Sequence, residues 1–298
     1  MASVLNTNMA SISAQRYLTS AQNKLQASYE RLSSGSRINR AQDDAAGNGV
    51  SQRLVSSINS TSMAMRNAND AIGMLQTAEG ALTEITTMLQ RMKELSVQGA
   101  NDALNSSQRG FLVTEMKGLA SEVAAISART KFNDINLLNN TANQALTFQT
   151  GADITDVQVV GTVNVIGDGT NLAVLLGNPA NATQASVEAS FATNFTVGTA
   201  TAPKVEDMNA LNTRITDAID YVSTQRATFG AQVNRLNSNI NNLSALFENL
   251  SAANSRIMDT DYANETASLT KTQILQQAAT AMLSQANAQP NVVLALLK

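Results

Sequence analysis

Histidine, cysteine and tryptophan are all missing from this chain, and its 298 residues include only three prolines, none before Pro179. Without thiols there is neither a disulfide nor a cysteine nucleophile, and without imidazole the usual near-neutral base and zinc ligand are gone. An HExxH metalloprotease motif is impossible. Charge is equally scarce: charged residues make up 14% of the chain and leave a net charge of −3. Nothing in that balance draws it toward nucleic acid or anionic lipid. No apolar run of about 18 residues occurs, so no membrane span is expected. The opening MASVLNTNMASISAQRYL lacks a basic stretch and an unbroken apolar core, which leaves a cleaved secretory signal unsupported. Asp and Glu pairs occur in no motif that would position them for acid–base work. These absences read as no enzyme, no metal and no cofactor, and the lack of cysteine suits a chain that leaves its cell unfolded.

What is present is aliphatic periodicity, with 43% hydrophobic residues, enough for one large or two ordinary domains. Residues 1 to about 140 read as helical. Leu18, Leu25 and Leu32 recur every seven residues beside a stripe of Leu5, Met9 and Ile12. The segment LSSGSRINRAQDDAAGNG interrupts as a joint between helices: Gly35 suits a left-handed cap, and Asp43 and Asp44 suit the next helix N-terminus. Leu54, Ala68, Leu75, Leu82 and Leu89 then share one seven-residue lattice, with Ile58, Met65 and Ile72 as expected companions. Gly99 and ANDALNSSQ mark a turn into a shorter antiparallel helix with Phe111, Met116, Leu119, Val123 and Ile126 as its apolar side.

Between about 141 and 203 the texture changes to Gly, Asn, Thr and Asp around period-two runs such as DVQVVGTVNVIGDG, which predict one or two β-hairpins. VIGDGTN reads as a hairpin turn rather than a calcium loop. GNPANATQ reads as a loose polar segment, and Asn181-Ala182-Thr183 as a by-product of composition. After Pro203, eight apolar residues fall seven apart: Met208, Ile215, Val222, Phe229, Leu236, Leu243, Leu250 and Ile257, with Ile219, Val233, Ile240 and Phe247 in the other seam. That pattern predicts a helical rod about 75 Å long. MDTDYANET follows, with capping expected from Asp259 or Thr260, then a last helix through Leu269, Ile274, Leu275, Met282 and Leu283. Pro290 is expected to restart the chain into an aliphatic tail of Val292, Val293, Leu294, Leu296 and Leu297. The fold class is mainly α: a long coiled-coil bundle formed by both chain ends, with a small β-hairpin-containing central insertion.

LSSGSRINRAQDDAAGNGV, LQRMKELSVQGAND, SRIMDTDYANETASLTKTQILQQAATAMLSQAN and QPNVVLALLK together resemble bacterial flagellin, the subunit of the flagellar filament. The likeness spans roughly the first 140 and last 95 residues. It implies a terminal filament-core domain from 1–45 and 258–298, a helical rod domain with a β-hairpin from 46–176 and 204–257, and a short variable surface segment at 177–203. It also implies an extracellular location, reached through the flagellar type III route without a cleaved signal. Implied partners are copies of the chain in a helical homopolymer, an export chaperone at the C-terminal segment, and the filament cap and hook-associated proteins. Vertebrate Toll-like receptor five is a further implied partner, with matching positions at Arg91, Leu95 and Glu115.

Arg40, Gln42, Asn48, Gly49 and Gly99 depart from the family's commoner residues, at the joint and the first long turn. A hook–filament junction protein, which shares the terminal helices, is the alternative reading. The expected polymerisation interface comprises Leu5, Met9, Ile12, Leu18, Leu25 and Leu32 at one end. At the other it comprises Leu269, Ile274, Leu275, Met282, Leu283 and the five tail aliphatics. Residues 1 to about 45 and 258 to 298 are expected to be mobile in the monomer and helical in the polymer, because an isolated stripe does not offset the entropy of ordering it.

Overall fold

A computed structural model describes residues 7–139, 145–151, 153, 155–161 and 203–296, with side chains described to residue 288. The helices are α1 (Met9–Ser34), α2 (Ala45–Gly99), α3 (Ser106–Arg129), α4 (Val205–Met258) and α5 (Tyr262–Leu296). Four short strands are β1 (Lys131–Phe132), β2 (Ile135–Asn136), β3 (Ala145–Gln149) and β4 (Val157–Gly161). Two compact units divide the chain: Met1–Asn59 with Phe247–Lys298, and Ser60–Leu246.

In the first unit the two chain ends pair antiparallel. Asn8 caps α1 by accepting from the Ser11 N–H at 3.0 Å, and its side-chain amide donates to the Ala286 carbonyl at 2.7 Å. That second bond explains a departure from expectation. Pro290 does not restart the chain, since α5 runs through it to Leu296. Proline has no N–H to give the carbonyl four residues back, and Asn8 supplies the donor that Ala286 would otherwise lack.

The joint forms as its residue types predict. Gly35 ends α1 at φ 70°, and its carbonyl accepts from the Thr260 N–H at 2.9 Å. Ser36 bridges Asp259, and Arg37 directs Nε and Nη2 at the Ile257 carbonyl, at 3.2 and 2.8 Å. A guanidinium there meets the unpaired carbonyls and negative end of α4. Asp44 accepts from the Gly47 N–H at 2.8 Å at the start of α2, and Asp43 accepts from the Asn39 and Arg40 N–H groups. Neither Asp259 nor Thr260 caps α5. Asp261 does, through the Ala263 and Asn264 N–H groups at 2.9 and 3.2 Å.

The second unit buries the large apolar residues. Ala68, Leu75, Leu82 and Leu89 lie buried on the expected lattice, as do Met208, Ile215, Val222, Phe229, Leu236 and Leu243. The expected companions in α2 are displaced. Met65 and Ile72 are only half-buried, and the second seam runs three residues after each lattice point, through Ala71, Ala78, Ile85 and Met92. Alanines at two of those points hide the seam from a reading that follows large side chains. On α3, Met116 and Val123 are buried, whereas Phe111 is 74% exposed and belongs to the surface. Gly99 lies against Met208: a Cβ there would stand 2.8 Å from Sδ, which accounts for glycine at this turn.

Helix α3 starts with a capping box between Asn105 and Gln108 and stops at Arg129, short of the expected 140. The chain then turns through β1 and β2, where Asn133 and Asp134 take φ of 48° and 63°. Two adjacent positive angles are what a type I′ hairpin requires, and Asn and Asp tolerate them. Ser127 donates to the Leu138 carbonyl at 2.8 Å and Asn136 to that of Ala128 at 3.1 Å, fastening this hairpin to the helix. That hairpin falls where helix was expected; the hairpin expected after about residue 141 pairs β3 with β4 from Ala145↔Gly161 to Gln149↔Val157. Asn67 of α2 and Asn239 of α4 anchor it through the Gln149 and Thr150 carbonyls, at 3.0 and 3.2 Å. VIGDGTN, GNPANATQ, Asn181 and nearly all of 177–203 lie outside the described residues.

The cap of α5 carries a pH dependence. The Asn264 N–H first, then the Asn264 side-chain amide and the Ala263 N–H, hold the Asp261 carboxyl below its ordinary range against partial desolvation. A folded group that is the stronger acid stabilises fully above its unfolded pKa of about 3.9, and loses that contribution as pH falls through the folded value. The first turn of α5 should therefore fray below about pH 4. Asp261→Asn, which keeps an acceptor but cannot titrate, should remove the dependence, as read from amide chemical shifts of residues 263 and 264.

Candidate assembly and recognition surfaces

The α1–α5 pair is held by small side chains. Ser11, Ala14, Ala21 and Ser28 are the buried residues of α1, and Thr272 and Ala286 those among the described side chains of α5. Alanine and serine allow close approach but remove little apolar area from water. Polar contacts set the register: Ser11 Oγ donates to Asn287 at 2.8 Å, Gln273 donates to the Tyr29 hydroxyl at 3.3 Å, and Arg31 lies 3.7 Å from Glu265.

The larger apolar residues stay outside that seam. Met9 and Met282 are 63% and 65% exposed, and Ile12, Ile274 and Leu275 are exposed with them. Leu18, Leu25, Leu32, Leu269 and Leu283 are half-buried. Val292, Val293, Leu294 and Leu296 belong to α5, but their side chains, like Leu5 and Leu297 altogether, lie outside the described residues. A groove of about 610 Å³ follows the pair, lined by Ala14, Tyr17, Ala21, Leu275, Ala279 and Met282 among others. Tyr17 escaped the reading of heptads because it sits one position before Leu18. The seam itself was visible as Ala14, Ala21 and Ser28 at seven-residue spacing.

A second surface joins α2 to α3. Arg91 donates through Nε and Nη2 to one oxygen of Glu115, at 3.1 and 2.9 Å, and through Nη1 to Glu94 at 3.1 Å. Donating to Glu94, and then to Glu115, holds the guanidinium pKa above its ordinary value. All three side chains are exposed. Leu95 does not share that surface: it is 1% exposed, inside the core of the second unit. Glu94 completes the cluster, and its place three residues after Arg91 was a signal available in the sequence.

Among the described residues no group of three His, Cys, Asp or Glu side chains could hold a metal ion, and no helix is long and apolar enough to cross a membrane. Residues 5–143 match the family described as the bacterial flagellin N-terminal helical region, and residues 213–297 match the flagellin C-terminal helical region. The chain belongs to the bacterial flagellin family. It is 41% identical over 305 residues to a flagellin of Bacillus subtilis (strain 168), covering 99% of both chains. Against Flagellin A of Vibrio cholerae serotype O1 (strain ATCC 39315 / El Tor Inaba N16961) it is 35% identical over 376 residues, again covering 99% of each.

A solved chain described as a flagellar hook-associated protein of Vibrio parahaemolyticus is similar in fold. Its TM-score is 0.57 at 13% identity, with 73% of this chain and 100% of that one covered. Flagellins are structural proteins of the flagellar filament, and this flagellin is a filament subunit rather than an enzyme.

The two kinds of position on α2 should separate cleanly in stability measurements. Arg91→Ala should shift the unfolding free energy by less than about 1 kcal/mol, since its ion pairs are solvated. Leu95→Ala should cost about 2–5 kcal/mol. Urea midpoints of the two variants against the parent, at unchanged m-value, provide the check.

Proposed function

We propose that this flagellin polymerises through the apolar faces that α1 and α5 leave uncovered, and that the subunit surface at Arg91 and Glu115 is read by Toll-like receptor five. The observation that carries assembly is the size segregation on the terminal pair: methyls and hydroxyls face inward, while Met9, Ile12, Ile274, Leu275 and Met282 face outward. Each buried alanine methyl contributes about 0.8 kcal/mol, whereas ordering each residue costs about 1–2 kcal/mol in backbone entropy. The pair is therefore weak alone and gains most when neighbouring copies cover its outer faces. The segments 1–45 and 258–298 form the filament core in this reading, and the tail aliphatics join the same interface.

Family membership supports, as part of this reading, export through the flagellar type III route and contacts with the filament cap and hook-associated proteins. The C-terminal segment, whose apolar side chains lack a cover before assembly, suits an export chaperone that holds it as a helix in a groove. Receptor contact falls to the exposed Arg91 and Glu115, with Leu95 stiffening α2 beneath them. A hook–filament junction role is the alternative, and long filaments grown from the purified chain alone would exclude it.

Assembly is tested with the full chain by electron microscopy and sedimentation. The parent should form long filaments, and Ile274→Ser combined with Leu275→Ser should abolish them while leaving monomer helicity unchanged. In dilute monomer, amides of residues 9–34 and 262–288 should exchange within minutes, becoming protected only after polymerisation; strong protection in the monomer contradicts the reading. For recognition, Arg91→Ala should lower receptor-reporter activation by monomer about tenfold, the scale of a truncated hot-spot residue. An equal response from both proteins removes the assignment.

A further inference from the structure

We infer that Met282 is an oxidation site whose conversion to the sulfoxide in the free subunit blocks assembly. The inference rests on the polymerisation reading above. Among the described methionines, Met74, Met92, Met116 and Met208 are buried, and Met9, Met63 and Met282 are the exposed ones. Exposure and thioether chemistry select among them, because oxidants act first on accessible sulfur. The chain has no cysteine, so no thiol competes for the oxidant.

Met282 differs from Met63 in its setting. It lines the groove along α1 and α5, six of whose lining residues are alanine, alongside Leu275 and Tyr17. A thioether suits that wall because it is apolar and polarisable. A sulfoxide does not: its oxygen is a strong acceptor that a neighbouring copy would have to bury. Each subunit brings one such group, so the penalty recurs at every step of growth.

The reaction balances with hydrogen peroxide as oxidant. The sulfur lone pair attacks one peroxide oxygen, the O–O bond breaks, and a sulfur–oxygen bond forms. The sulfur is oxidised by two electrons, and the other peroxide oxygen leaves as water. Thiol-dependent methionine sulfoxide reductases reverse the change. In a grown filament the same sulfur is covered, so oxidation discriminates between subunits awaiting assembly and subunits already placed.

The test treats full-length monomer and preformed filaments with hydrogen peroxide, maps sulfoxides by peptide mass spectrometry, and measures the critical concentration for seeded growth by sedimentation. Oxidised monomer should carry the sulfoxide at Met282, and its critical concentration should rise at least about tenfold. Filaments should be spared at that residue. In a Met9→Leu background, which removes the other exposed sulfur on the outer face of the terminal pair, Met282→Leu, which keeps bulk and hydrophobicity without the sulfur, should grow normally after the same treatment, whereas Met63→Leu should remain inhibited. An unchanged critical concentration in oxidised parent, or equal inhibition of Met282→Leu, overturns the inference. Failure of the untreated parent to grow overturns the assembly reading itself and the inference with it, a separate result. Circular dichroism of both variants confirms that helicity is intact.

Discussion

Side-chain size along the helix seams is the constraint on which this molecule depends. In the second unit, Leu75, Leu82, Leu89 and Met92 of α2 and Met208, Ile215, Val222 and Phe229 of α4 are all buried together. Each removes a full aliphatic or aromatic surface from water, so this unit holds itself together. The terminal pair uses the same seven-residue arithmetic with Ala14, Ala21 and Ser28. Geometry is satisfied there, but most of the hydrophobic driving force is left on the outside. One spacing rule thus yields an aliphatic core in one part of the chain and an exposed apolar face in the other.

Much of this was legible from residue spacing. The lattice from Met208 to Leu243 reports burial directly because its members are large and evenly placed. The Gly35 cap was readable because few residues other than glycine suit a positive φ, and the turn after Gly99 was readable from the polar ANDALNSSQ that follows it. Three features were hidden for physical reasons. The alanine seams of α2 and α1 carry little hydrophobic signal, because a methyl group marks a close approach as well as an exposed helix face. Phe111 looked like core because size and hydrophobicity do not reveal which side of a helix meets a partner. Pro290 looked like a break because the donor that rescues its helix, Asn8, lies 278 residues from the carbonyl it serves. Leu95 and Arg91 were read as one surface, although four residues along a helix do not guarantee a common neighbour when one faces a crowded core.

Part of the scarce charge serves backbone groups at helix ends. Arg37 serves the last carbonyls of α4. The buried Arg109 does the same for α2, donating to Gly99 and Asn101 at 2.9 and 3.0 Å. Asp44 and Asp261 serve the opposite ends of helices, as the neutral Asn105 does for α3. With 14% charged residues, the chain places several of them at helix termini, where unpaired amides and carbonyls are most costly.

The antiparallel pairing of α1 with α5 has a consequence for the order of synthesis. Asn8 finds its acceptor at Ala286, and Tyr29 its donor at Gln273. A ribosome emits the first helix almost a whole chain length before the last one exists, so no amount of waiting lets the nascent amino end complete its native contacts. The terminal unit closes only once the final segment has been made, and translation therefore finishes before this part of the molecule is committed to a shape.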